Sequence, residues 1–89
     1  MTRKVVEHIH TLSKRVRHAN GTLYEALVLG ERRDDGTWAG WLEFHALNDA
    51  GTVLCTGQET SQPDRGALVY WAGGLEPIYL EGALERARE

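Results

Sequence analysis

Residues 34–52, DDGTWAGWLEFHALNDAGT, hold an apolar run from Trp38 to Leu47 between two turn signals, Asp35-Gly36 and Asn48-Asp49-Ala50-Gly51. Asp-Gly beside strand-forming residues marks a hairpin, because both central positions of a type I′ turn need positive φ. A strand with a hairpin on each side lies inside its sheet. The segment therefore predicts an interior strand around which the rest of the chain pairs.

On the N-terminal side, Leu23 to Gly30 reads as the preceding strand, with Glu31 to Asp34 extending it as a polar ribbon. Ala19-Asn20-Gly21-Thr22 supplies a second hairpin turn, leading back to a strand over residues 11–18. Residues 1–10, with Val5, Val6 and Ile9, either extend that strand or form a frayed start. On the C-terminal side, Thr52 to Glu59 makes a fourth strand. Four strands joined by short turns form an antiparallel meander.

The pattern then becomes helical. In Ser61-Gln62-Pro63-Asp64, Ser61 can cap, Pro63 suits a first turn and Asp64 suits the positive end of the helix dipole. Leu68, Trp71, Ala72 and Leu75 follow at i, i+3, i+4 and i+7. Gly73-Gly74 is a stop signal, and Pro77 opens a second helix to about Arg88 with Leu80, Ala83, Leu84 and Ala87 on one face. One helix kinked at Gly73-Gly74 and Pro77 is the alternative. The expected fold is a single α+β domain over residues 1–89, a four-stranded antiparallel β-meander with two C-terminal helices, or one kinked helix, on one face.

A chain of 89 residues buries a modest core, and 42% hydrophobic with 26% charged residues is ordinary for a globular domain. Neither a membrane-length apolar run nor a signal-peptide pattern is present, and the single Cys55 cannot form an internal disulfide. These features predict a cytoplasmic protein. The net charge of −3 conceals an asymmetry, with residues 1–20 at +4 and the remainder at −7. The basic segment suits a protected sheet edge, or a patch for RNA or an acidic partner; the acidic body opposes non-specific nucleic-acid binding.

Loop length decides which residues share a face. With Asp35-Gly36 as a two-residue loop and residues 48–51 as a four-residue loop, one apolar face gathers Leu23, Leu27, Leu29, Trp38, Leu42, Phe44, Val53 and Cys55. The helices should cover it, with Trp71 and Leu68 against Phe44 and Leu42. The opposite face then presents Arg15, Arg17, Tyr24, Val28, Trp41, Glu43, His45 and Leu54, an apolar patch with a polar rim of the kind that marks interfaces.

No catalytic, cofactor or metal motif stands out. Cys55 and His45 would be the simplest nucleophile–base pair, but this register sets them on opposite faces. His8 and His10 share one side of a regular strand, half of a zinc site at most, and no third ligand lies at suitable spacing. Tyr24 and Trp41 near Arg15 and Arg17 have the ingredients of a single-stranded RNA platform, although Glu43 stands at its centre.

Tyr24-x-Ala26, the Asp35-Gly36-x-Trp38 turn and Gly57 to Thr60 before the helix give the stretch from Tyr24 to Trp71 a form that resembles the small partner-binding domain of HicB-like antitoxins. It departs from that family's Pro-Asp segment after the third strand. The resemblance implies a strand meander followed by a helix, and fold likeness alone does not carry function.

The expected function is a non-enzymatic interaction or homodimerisation domain that binds itself or another protein through the open sheet face around Trp41. The alternatives are a single-stranded nucleic-acid binder using Tyr24, Trp41, Arg15 and Arg17, and a small-ligand-binding domain or enzyme subunit.

Overall fold

The computed structural model describes residues 5–48 and 51–89. Along these the chain forms β1 (Val6–Thr11), β2 (Val16–Arg17), β3 (Leu23–Arg32), β4 (Trp38–Ala46), β5 (Val53–Cys55), β6 (Thr60–Gln62), α1 (Arg65–Gly73) and α2 (Pro77–Arg86). The result is an α+β fold, a six-stranded antiparallel sheet with two C-terminal helices packed against it. The core order is β1-β3-β4-β5; β2 also pairs with β3, and β6 with β4. Of the expected outer strands, residues 11–18 are strand only at Thr11 and Val16–Arg17, and residues 52–59 only at Val53–Cys55; β1 starts earlier, at Val6, and β6 follows where a helix entrance was expected. The start of the chain is part of the sheet from Val6 onward, and residues 1–4 lie outside the described range.

Two turns of the same design set the register. Arg33 N–H donates to Thr37 O at 2.7 Å and Gly36 N–H to Arg33 O at 2.9 Å, enclosing Asp34, Asp35 and Gly36. Around the other turn, His18 N–H donates to Thr22 O at 2.8 Å and Gly21 N–H to His18 O at 2.9 Å. In both, the glycine has positive φ, +90° at Gly36 and +91° at Gly21. In both, the Asx side chain accepts the threonine N–H two residues on, Asp35 Oδ1 from Thr37 and Asn20 Oδ1 from Thr22, each at 2.9 Å. These are three-residue loops with a left-handed glycine at the third position, not the two-residue loops expected. The Asx residue keeps negative φ and uses its side chain to hold the turn, leaving the left-handed position to glycine.

The third hairpin shifts likewise. Ala46 N–H donates to Thr52 O at 3.1 Å, so the loop spans residues 47–51 rather than 48–51, with residues 49 and 50 outside the described range.

A one-residue change of register turns a strand over. The covered face therefore carries Tyr24, Ala26 and Val28 of β3, opposite Ala46, Phe44 and Leu42 of β4. Leu54 stands opposite Phe44 and packs against the same core. Tyr24, Val28 and Leu54, expected on the open face, thus point the other way, while Leu23, Leu27, Leu29, Val53 and Cys55 lie on the open side. Trp38, Leu42 and Phe44 are buried as expected.

The edge breaks have identifiable causes. A bulge between His8 and His10 puts His8 opposite Leu29 but His10 opposite Val28, so the two imidazoles belong to opposite faces rather than one. Thr56 interrupts the other edge: its hydroxyl accepts Leu42 N–H at 3.0 Å and donates to Gly57 O at 2.8 Å, replacing a ladder bond with a side chain.

Ser61 lies in β6, and the α1 cap is Asp64, whose Oδ1 accepts Ala67 N–H at 2.8 Å. Gly74 N–H donates to Trp71 O at 3.2 Å to close α1, and Pro77 begins α2, so the helices are separate. Their buried residues, Leu68 and Ala72 on α1 and Leu80, Ala83 and Leu84 on α2, lie on the predicted faces. Beyond α2, Arg88 exchanges both backbone bonds with Cys55, at 2.7 and 2.9 Å, and covers the β5 edge. No helix among the described residues is long and apolar enough to cross a membrane.

Candidate interaction face

Both helices pack on one side of the sheet, and the outward side chains of β3 and β4 stand on the other. The register arranges them in rows. Leu29 faces Trp41, Leu27 faces Glu43 and Glu25 faces His45. The β4–β5 ladder adds Cys55 beside Glu43 and Val53 beside His45. On the far side, His8 extends the Leu29 row and Thr11 the Leu27 row. Leu23, Leu27, Leu29, Trp41 and Val53 are all half-buried among their neighbours and retain exposed surface.

Of the side chains expected here, Trp41, Glu43 and His45 are brought together on this face. Arg17 sits at its end, in the row of Leu23, and donates to Gly21 O at 3.3 Å. Arg15 is exposed in the break before β2, where it and Arg17 also line a cleft of about 160 Å³ against Pro77 and Glu81 of α2. Tyr24, Val28 and Leu54 contribute to the core instead. The leucines that replace them were visible in the sequence, but assigned to the wrong side by one residue of loop.

Glu43 is the polar centre. Its Oε1 lies 2.7 Å from His45 Nε2, and its Oε2 accepts from Cys55 Sγ at 3.7 Å. His45 and Cys55 therefore share a face, contrary to the sequence expectation, because β5 is turned over relative to the expected register. Their hydrogen bonds both run to Glu43, His45 through Nε2 and Cys55 through Sγ. Burial, then the charge and hydrogen bond of Glu43, raise the Cys55 pKa above its ordinary value. That favours the unreactive thiol over the thiolate that nucleophilic chemistry requires.

The far end of the face is polar. Arg33 Nη1 donates to Ser61 Oγ at 2.9 Å and Nη2 to Gln58 Oε1, tying the Asp35-Gly36 turn to the β5–β6 break. The covered side has a separate network: Glu59 Oε1 accepts from Tyr79 OH and from Arg86 Nη2, both at 2.5 Å. Tyr79 is pushed up to about 12, chiefly by burial and then by Glu59, with Arg86 opposing. It also meets Trp71 edge-on at 6.0 Å, so these contacts knit the strand break to both helices.

A cleft of about 310 Å³ lies between the β1–β2 break and the α1–α2 turn and is lined by Leu12, Lys14, Glu76, Pro77 and Leu80 among others. Among the described residues, no group of three His, Cys, Asp or Glu side chains is placed to hold a metal ion. No family model, curated protein or solved structure matches this chain.

Proposed function

We propose that the chain is a small non-enzymatic interaction domain that uses the open sheet face around Trp41 to bind a protein surface, its own or another's. One observation carries this reading: a face that no described residue covers, on which Leu27, Leu29 and Trp41 adjoin, with Glu25, Glu43 and His45 beside them, Leu23 and Val53 beyond, and Arg33 and Arg17 toward its ends. Apolar side chains surrounded by polar ones form the usual anatomy of a recognition surface, and a tryptophan at such a site is a frequent anchor. The central carboxylate has partners within the chain at both oxygens, which lowers the cost of covering it.

The nucleic-acid reading has lost one of its stacking groups, because Tyr24 is buried and presents no ring for a base. Sedimentation and affinity capture with wild type and Trp41→Asp test the interaction reading. Association, with itself or with a captured protein, should disappear in the variant while its circular dichroism and melting stay those of a folded chain. A wild type that is monomeric at high concentration, with capture unchanged by the substitution, would overturn the reading.

A further inference from the structure

We infer that the occupant of the open face is a second copy of the chain, related by a two-fold axis parallel to the strands and lying between β3 and β4. This rests on the interaction reading above and goes further by naming the partner and the pairing. An axis in that position carries each residue of β3 over the residue that is its β4 neighbour in the other copy. The register then sets Leu29 over Trp41 of the second copy and Glu25 over His45 of the second copy, each contact made twice.

Charge distinguishes this arrangement from one related to it. An axis running across the strands through the central row would set Glu43 against its own copy, and like charges face to face are destabilising. The axis along the strands sets Glu43 over Leu27 instead, with both carboxylate oxygens already engaged by His45 and Cys55. It also matches the acidic side chain of Glu25 to an imidazole. The size is close to that of a small specific interface. Four strands about 4.8 Å apart, over the roughly 27 Å from Leu23 to Glu31, give a face of about 500 Å² in projection. The relief of the side chains adds to that, approaching the roughly 600–800 Å² per partner of small specific interfaces.

The central row supplies the experiment. Thr11, Leu27, Glu43 and Cys55 lie side by side on four successive strands. Within one chain Thr11 and Cys55 are therefore three strand spacings apart, about 14 Å. The proposed axis places Thr11 of one copy over Cys55 of the other. Thr11→Cys is treated with a bis-maleimide shorter than the intrachain separation, and the products are mapped by peptide mass spectrometry. Covalent dimers joined between positions 11 and 55 are expected, whereas wild type, whose two Cys55 thiols lie far from the axis on opposite sides, should stay uncrosslinked.

Because Thr11 also bonds His8 at 2.7 Å, a second variant covers the case in which Thr11→Cys fails to fold. Val6→Cys with Ser61→Cys in a Cys55→Ser background tests the end row, in which Val6, Glu31, Ala39 and Ser61 adjoin, and should crosslink 6 to 61 between chains. Wild-type dimers joined through the two Cys55 residues, or a sedimenting dimer that crosslinks in neither variant, overturn the two-fold but leave the interaction reading intact. A wild type that is monomeric yet captures a different protein through Trp41 overturns self-pairing alone. A monomer indifferent to Trp41→Asp overturns both.

Discussion

Gly30 and Gly40 stand opposite each other across β3 and β4, and the methyl groups of one leucine, Leu68, occupy the space above both. A Cβ on Gly30 would come within 2.6 Å of Leu68 Cδ2, and one on Gly40 within 2.6 Å of Cδ1. The glycines therefore let α1 approach the sheet closely, and Leu68 is fully buried there. Gly40→Ala should destabilise the chain by about 1–3 kcal/mol through overpacking. Leu68→Ala alone should cost about 2–5 kcal/mol. In the Leu68→Ala background the Gly40→Ala cost should fall to what the remaining approach to Thr60 Cγ2 at 3.0 Å imposes, a coupling that urea titrations of the four chains would measure.

The turn that sets the register should be sensitive at its third position. Gly36 has φ +90°, where an L side chain is strained, so Gly36→Ala should cost about 1–2 kcal/mol by chemical denaturation. Asp35 is held below its usual carboxylate value, first by the Thr37 hydroxyl and then by the Thr37 amide. Its contribution is therefore present above the unfolded pKa and lost as pH falls through the lower folded value. Asp35→Ala should flatten that acid limb of the stability curve.

The two tryptophans of β4 should separate stability from association. Trp38 is 8% exposed on the covered face, so Trp38→Ala should cost about 3–5 kcal/mol in denaturant. Trp41→Ala should change denaturation of the monomer less and instead weaken association in sedimentation. Equal losses of monomer stability would contradict the division of faces.

Tyr79 should ionise late. Its folded value of about 12 lies above the ordinary 10, so its stabilising contribution is complete below the unfolded pKa and disappears as pH rises through about 12. Ultraviolet titration should show a late phenolate component that Tyr79→Phe removes. Between pH 10 and 12 the Phe variant should lose less stability with rising pH than wild type.

Cys55 should react slowly with iodoacetamide at neutral pH, since burial and Glu43 both raise its pKa. Glu43→Gln removes the nearby charge and should accelerate alkylation severalfold under the same conditions. An unchanged rate would mean that burial alone governs the thiol.

Much of the architecture was legible because it depends on patterns internal to each element. The period of two within residues 38–46 separates Trp38, Leu42 and Phe44 from Trp41, Glu43 and His45 wherever the strand pairs, and the structure keeps that split. The helical spacing of Leu80, Ala83 and Leu84 likewise marked the face of α2 that is buried. Leu23 to Leu29 resisted such reading because both alternating sets are largely apolar: Leu23, Leu27 and Leu29 with Glu25 on one side, Tyr24, Ala26 and Val28 on the other. Glu25 alone marks the outward side, and one charge among three leucines is a weak signal. The choice passed to the turn, where Asp35-Gly36 suits two-residue and three-residue loops alike.

The sequence by itself determined an antiparallel sheet closed by Asx-Gly turns, an amphipathic helical C-terminus, as two helices or one kinked helix, and a β4 with one tryptophan on each side. Those features follow from local backbone preference and side-chain periodicity. Only the tertiary structure decided which side of β3 and β5 meets the helices. The deciding contacts join residues far apart in the chain: Leu68 seated over Gly30 and Gly40, and the small Ala26 opposite the large Phe44. The same packing sends Leu27 and Leu29 outward beside Trp41, and so creates the face proposed to receive a second copy.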